Sequence, residues 1–445
     1  MRTGPNRRGF LQAASAAAGA AALPGAAPEA RPKIAALASV YFYLSHAYHI
    51  VGRFLDGFDV YDGRPQTLHR PGFDVASLFI EQVDPATDLG RPKAKRHNVR
   101  LSPTIADALT LGTGKLAVDA VLLIAEHGNY PYNDRQQKLY PRGRFFREVL
   151  DVFRASGRSV PVFLDKHLSY SRAEAAEMVR AAEERKVPFM AGSSLPVTWR
   201  MPPLEIPLGR KFREVLVASR GDLEIFGFHA LETLQCMAER RNLGGKGQGV
   251  VGVTCLEGDA VWEAGDRGLW SWELLDHALG RSHTVNPGRI RQNTRDYHPP
   301  GAPKGDVPTR LDRPVAYMIE YADGLRATAL ILNGHVDDTT VAARIETEGG
   351  GTSIVSTLMY LPAPPGARFF DPLVLRIEDF FRTGTPPYDV RRTQLTGGIL
   401  DEALESRFRG HVRIATPDLA AIDYRPPADS GFIQSPLTDP EPNRL

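Results

Sequence analysis

Cysteine is almost missing from this chain: two residues in 445, Cys236 and Cys255. That excludes a disulfide framework and any zinc site built on four cysteines. Both lie in apolar stretches, LETLQCMAER and VVGVTCLEGD, where a buried free thiol is the expected state, although a single bridge between them stays open. An excess of one charge sign is missing too, with 54 basic residues against 52 acidic ones and a net charge of +2. There is no long basic run, so a nucleic-acid partner is not expected. No apolar run is long enough for a permanent membrane span. Glycine is plentiful, at 41 residues, yet absent from one place. The stretch KIAALASVYFYLSHAYHIVGRFLDG, residues 33–57, reads as a first strand, turn and helix. Its turn holds Val40, Tyr41, Phe42 and Tyr43 where a dinucleotide-gripping turn needs glycines.

What is present begins with a targeting segment. NRRGFLQAASAAAGAAALPGAAPEA carries Arg7 and Arg8, then Phe10 and Leu11, then a weakly apolar Ala/Gly run. This order marks residues 1–30 as a twin-arginine-type export signal, which sends a folded protein to the periplasm or beyond. The remainder is ordinary soluble composition, 42% hydrophobic and 24% charged, and long enough for two domains.

From residue 31 to 195 strands and helices alternate. KIAALAS, DVASLFIEQV, VDAVLLIAE, VPVFLDK and VPFMAGS read as strands. Helices are expected between them at TIADALTL, capped by Ser102 or Thr104, at RFFREVLDVFRASG, stopped by Gly157, and at SRAEAAEMVRAAEERK. The alternation predicts an α/β, Rossmann-like parallel sheet covered on both faces. Ligands of such sheets lie beyond the carboxyl ends of the strands. Residues 196–410 change character. A long helix at DLEIFGFHALETLQCMAERR, a hairpin turning at Ala322-Asp323-Gly324, and strands at TVAARIETEGG and TSIVSTLMYL predict an α+β domain with an open, mostly antiparallel sheet. Closing helices over about 373–407 are expected to pack back on the first domain, and 411–445 forms a C-terminal extension. Residues 281–312 read as a polar surface excursion. Trp262, Trp270 and Trp272 read as core or subunit interface, and GGKGQGVVGV as a plain loop.

Three stretches in the right order resemble the glucose–fructose oxidoreductase / inositol dehydrogenase (Gfo/Idh/MocA) family. VPVFLDKHLSYSRAEAAEMVRAAEERKVPFMAG is similar to that family's strand ending in Glu-Lys-Pro, with the helix and strand that follow. GFHALE is similar to its Gly-x-His-x-x-Asp, and LVLRIEDFFRTGTPPYDVRRTQLTGGILDEALES to its closing helices. The resemblance implies a Rossmann domain paired with a sheet domain that supports homo-oligomers. It also implies that Lys166 and His229 flank the reacting substrate carbon, with Asp165 and Glu232 in place of the family's Glu and Asp. Asp84 stands where the family has its ribose-binding acid, although the insertion at about 57–73 doubles its distance from the turn.

The other strand ends depart from that pattern. Glu126-His127 replaces Thr-Pro, His167 follows the lysine, and His46 and His49 start the first helix. Glu126, His127, His167 and Glu232 are therefore expected around the pocket. Ser193, Ser194, Thr198 and Arg200 are candidates for lining the cleft. Histidine and carboxylate ligands suit zinc, and His127, His167 and His229 form the candidate metal set. The leading expectation is an exported enzyme acting on a small polyhydroxylated, sugar-type substrate, with acid–base work by Lys166 and His229. Non-redox, metal-assisted chemistry and an NAD(P)-dependent oxidoreductase with an atypical nucleotide site both stay open. So does a non-catalytic sugar-binding protein.

Overall fold

A computed structural model describes residues 30–60, 67–241, 247–295, 297, 313–362 and 367–434. The expected export signal lies outside the described residues, as do 298–312 of the polar excursion and the last eleven residues of the chain.

The first half builds one parallel sheet. Its elements are β1 (Lys33–Ala38), α1 (His46–Asp56), β2 (Phe58–Val60), β3 (Thr67–His69), β4 (Asp74–Ile80), α2 (Gly90–Arg96) and β5 (Arg100–Leu101). They continue with α3 (Ile105–Thr110), β6 (Ala120–Ile124), α4 (Arg142–Ser156), β7 (Val162–Asp165), α5 (Arg172–Glu184) and β8 (Phe189–Gly192). The strand order is β5-β4-β1-β6-β7-β8, and every pairing is parallel. The strands read as near-continuous apolar runs because both faces are covered. Ala35, Leu37, Val121 and Leu123 pack toward α3, α4 and α5. Ile34, Ala36, Leu122 and Ile124 pack toward α1 and a helix from the far end of the chain. Thr104 caps α3, its side chain accepting from Asp107 N at 3.0 Å. Gly157 ends α4 in the left-handed conformation, φ 62°, which glycine adopts without a Cβ clash. β2 and β3 form a small antiparallel hairpin inside the insertion.

The second half contains β9 (Trp199–Met201), β10 (Phe212–Ser219), α6 (Ile225–Ala238), β11 (Val250–Glu257), α7 (Asp259–Asp266), α8 (Trp272–Leu279) and α9 (Ile290–Arg295). Then come β12 (Val315–Tyr321), β13 (Arg326–Ile331), β14 (Thr339–Glu346), β15 (Thr352–Tyr360), α10 (Phe370–Thr383), α11 (Arg391–Phe408), β16 (Ile414–Ala415) and α12 (Pro417–Ala420). The eight strands run in the order β16-β11-β12-β13-β10-β14-β15-β9. The β10–β13 pair is parallel and the other pairings are antiparallel. α6 and α11 cover one face with a large apolar core. α7 and α8 cover the other, where Trp262 and Trp270 are buried. Cys236 and Cys255 are both buried free thiols.

α10 is the helix that returns to the first sheet, placing Leu373, Val374, Ile377 and Phe380 in one core with β1 and α1. α11 lies against α5, α6 and β11. These packings bring the start of α6 to the carboxyl edge of the parallel sheet.

Candidate active site

The loops after β1, β6, β7 and β8 meet the start of α6 around a cavity of about 660 Å³. Ser45 caps α1, so His46 and His49 fall on the first helical turn and line the cavity. His127 after β6 and Lys166 after β7 both hold left-handed backbone, φ 67° each. Non-glycine residues seldom adopt it, and such strain tends to collect at functional sites. Gly192 ends β8 at φ 143°, where a Cβ would come within 2.4 Å of Tyr388 Oη. The chain then turns Ser193 and Ser194 onto the cavity wall.

Asp165 is fully buried. His46 Nδ1 lies 2.6 Å from its Oδ2; a carboxylate oxygen accepts, so in the neutral ring the lone pair falls on His46 Nε2. Asp165 Oδ1 has no protein partner. Lys166 Nζ stands 3.5 Å from Glu126 Oε1, and Arg142 Nη2 donates to the other Glu126 oxygen. Burial alone would raise the Glu126 pKa; the Lys166 and Arg142 charges override it and hold the carboxylate well below its ordinary range. A second relay lies beside this one. Ser193 donates its backbone N–H (2.9 Å) and its hydroxyl to Glu232 Oε2. Ser193 Oγ therefore accepts from His229 Nδ1 at 2.9 Å, and His229 Nε2 also bears a lone pair. Burial pushes Glu232 up to about 7. Burial also lowers His127 to about 4 and His49 to about 3, and drives His229 well down. These three rings are neutral at pH 7.

Asp165, Lys166, His127 and His229 thus line one cavity. Glu126 sits behind Lys166, and Glu232 behind Ser193. Other expected residues lie elsewhere. His167 is buried but turned away, its Nε2 facing Arg142 Nη1 at 3.1 Å and Glu224 Oε1 at 3.7 Å. A histidine facing a guanidinium cannot share a cation with His127 and His229, so the candidate metal set comes apart. Among the described residues no group of three His, Cys, Asp or Glu is placed to hold a metal ion. Arg200 donates to Leu204 O at 2.7 Å, and its guanidinium lies 4.3 Å from the Phe432 ring centroid. It is absent from the cavity lining. Asp84 caps its own turn, accepting from Ala86 N and Thr87 Oγ1 at 3.0 Å each.

Sequence reasoning put His46 in the crevice without its Asp165 partner, and it missed Arg142 and Glu224 altogether. Arg142 opens an amphipathic helix and resembles any surface arginine in sequence; only its total burial reveals its task of neutralising Glu126.

A dinucleotide on this fold would lie over the turn after β1 and the N-terminus of α1. The residues present there do not fit one. Ser45 Oγ already accepts from Tyr48 N and Phe42 N at 3.2 Å each. Tyr41 turns inward, and a Cβ on Gly90 would lie 3.0 Å from Tyr41 Cβ. Across the end of β1, the loop after β6 is tied to the loop after β4. Asn129 N donates to Gln82 Oε1 at 2.7 Å, Gln82 Nε2 to Asn129 O at 3.2 Å, and Tyr130 Oη to Glu81 Oε2 at 2.5 Å. These polar groups are engaged with other groups of the protein, and the turn has no glycine that would let backbone approach a pyrophosphate.

No family model matches the chain, and no curated protein sequence matches it. Solved structures do. GenD2 from gentamicin A biosynthesis, in complex with NAD, is 15% identical with a TM-score of 0.49, covering 87% of this chain and 96% of that one. Myo-inositol 2-dehydrogenase from Lactobacillus plantarum is 11% identical with a TM-score of 0.49, covering 87% and 99%. A super-repressor mutant of Gal80p from Saccharomyces cerevisiae is 9% identical with a TM-score of 0.49, covering 88% and 100%.

Proposed function

We propose that this chain is an exported, divergent Gfo/Idh/MocA-type enzyme that performs acid–base chemistry on a small polyhydroxylated, sugar-type substrate without a dinucleotide in the usual position. The observation that carries this reading is the His46–Asp165 pair beside Lys166 on one cavity wall. Asp165 fixes the His46 tautomer and stabilises the imidazolium that forms when Nε2 takes a proton. A carbon-bound proton next to a sugar carbonyl is the fitting target. Lys166 supplies positive charge, and a proton, to the oxygen that becomes negative. His229 Nε2 offers a second acceptor, backed by Ser193 and Glu232. The crowded turn after β1 supports the non-redox form of the reaction.

Two measurements test this. Native mass spectrometry of the purified full chain is expected to give the polypeptide mass, and a dinucleotide increment would overturn the proposal. Aldoses and ketoses incubated with the protein in heavy water are expected to gain deuterium beside the carbonyl. A panel in which no sugar exchanges above the buffer rate would overturn it as well.

A further inference from the structure

Part of the cavity wall is polar and buried: Asp165 and Lys166 are at most 1% exposed, and Ser193 and Ser194 are 3% exposed. Buried Leu195, Leu358 and Phe370 line it as well. Leu44, at 46% exposed, and half-buried Phe226, Tyr360 and Phe369 add apolar surface that solvent reaches. A buried polar wall beside exposed apolar side chains in one cavity suits a ligand that is polar at one end and apolar at the other.

We infer that the ligand has two parts: a neutral, hydroxyl-rich ring on the polar floor and a planar apolar substituent at the mouth, as in an aryl glycoside whose sugar ring carries a ketone. The ring position rests on the functional reading above; the mouth does not. Two floor atoms, Asp165 Oδ1 and His127 Nε2, are buried without partners. Buried polar groups of this kind need hydrogen bonds. A carboxylate oxygen takes a donor, and a neutral imidazole nitrogen takes a donor or an acceptor. Sugar hydroxyls supply both. An anionic group would meet Asp165 and the Glu126 behind Lys166, and a cationic group would meet Lys166 itself. A neutral polyol meets neither penalty.

The outer part of the cavity offers rings, and its charged groups are engaged with protein partners, Asp338 Oδ2 accepting from His283 N at 2.8 Å. Phe369 and Phe370 lie 4.9 Å apart between centroids, and His283 lies 6.2 Å from Tyr360. The nearby cation, Arg220, is already engaged, with Nε 2.9 Å from Asp337 Oδ1 and its guanidinium over Phe226 at 5.1 Å. At about 660 Å³ the cavity exceeds what one sugar ring fills and falls in the usual range for larger ligands. Aromatic faces favour a flat partner through offset or edge-on packing.

Calorimetric titration of the full chain with free sugars, methyl glycosides and p-nitrophenyl glycosides of glucose, galactose and xylose tests the inference. At least one sugar series is expected to bind, with the nitrophenyl member about 10-fold tighter than the methyl member. Phe226→Ala is expected to reduce that preference to less than about 3-fold. Phe226→Leu, which keeps apolar volume, serves if the alanine variant misfolds, and should reduce it in part. Equal binding of methyl and nitrophenyl members, binding of none, or binding of p-nitrophenol alone as tightly as its glycoside would overturn the inference. Deuterium exchange, read on the free sugars because a glycoside masks the anomeric carbonyl, separates the two proposals. Aryl preference without exchange sinks the acid–base function and leaves the two-part ligand standing; exchange without aryl preference does the reverse.

Discussion

His46 and Asp165 are separated by 119 positions in the chain, yet their 2.6 Å contact fixes which imidazole nitrogen faces a substrate. Asp165→Asn presents an amide N–H where the carboxylate accepted, so the His46 tautomer inverts and Nε2 becomes a donor. The rate of deuterium exchange is expected to fall by roughly 10²–10⁴-fold, the usual worth of a positioned general base, while sugar binding is retained. Retention of full exchange would show that His46 is not the base. Lys166 and His229 were legible in the sequence because each falls within a motif. The His46–Asp165 and Arg142–Glu126 pairs were not, since no local pattern records which strand ends become neighbours. A second consequence concerns pH. Burial raises Glu224 to about 8 and Glu232 to about 7, so the folded chain holds protons there that the unfolded chain releases near its ordinary carboxyl pKa. Stability therefore falls as pH rises toward those values. Buried His49 and His127, lowered to about 3 and about 4, act oppositely, because the unfolded chain binds their protons below about 6.5. His167, His229 and His335 are lowered too and act with them. About one pH unit above 6.5 the histidines have nearly ceased to contribute, and the carboxyls still do. Between pH 7.5 and 8.5 urea unfolding should show a loss on the order of 1 kcal/mol, and Glu224→Gln should remove most of it. An unchanged slope in that variant would place the proton elsewhere.

At the scale of elements, the principal strands and helices of the parallel sheet follow from period and punctuation. α4 repeats Phe145, Phe146, Val149, Leu150 and Phe153 on its buried face and stops at Gly157. β6 is apolar at every position because both its faces are covered. What escaped notice lacked such a signal. α2 reads GRPKAKR, with Ala94 as its one buried apolar side chain. β9 lies in a proline-rich run and exists because Trp199, Arg200 and Met201 pair with Tyr360, Met359 and Leu358 of β15. The end of β8 invites a test. Gly192 has φ 143°, and an added Cβ would press on Tyr388 Oη at 2.4 Å and Glu232 Oε1 at 2.8 Å. Gly192→Ala is expected to cost about 1–3 kcal/mol from backbone strain and overpacking. It should also slow deuterium exchange, because Glu232 anchors Ser193 and thereby His229. A variant with wild-type melting temperature and exchange rate would show that this strand end tolerates a side chain.

Across the whole molecule the two sheets are joined through α10 and α11, not only through the covalent link after β8. Phe370, Leu373, Val374, Ile377, Phe380 and Phe381 of α10 complete the core that contains Ile34, Ala36 and Ile50. Arg53 Nε meets Asp371 Oδ1 at 2.6 Å, and His69 Nε2 meets Glu378 Oε2 at 2.6 Å. Fully burying six such apolar side chains contributes roughly 10 kcal/mol or more, comparable with the whole stability of an ordinary domain, about 5–15 kcal/mol. The first sheet therefore depends on residues more than 300 positions away in the chain, as the Arg53–Asp371 separation of 318 illustrates. A fragment ending at residue 195 contains every strand of that sheet and none of α10. It is expected to lack a cooperative thermal transition and to expose apolar surface to a hydrophobic dye, whereas the full chain should melt in a single calorimetric transition. The same coupling matters for the cavity, because Phe370 stacks on His49 at 4.6 Å and meets His46 edge-on at 5.1 Å. Loss of α10 would free the imidazole that Asp165 orients. A 31–195 fragment that folds cooperatively by itself would show that α10 only decorates the first sheet, and would remove the physical reason for treating the two sheets as one folding unit.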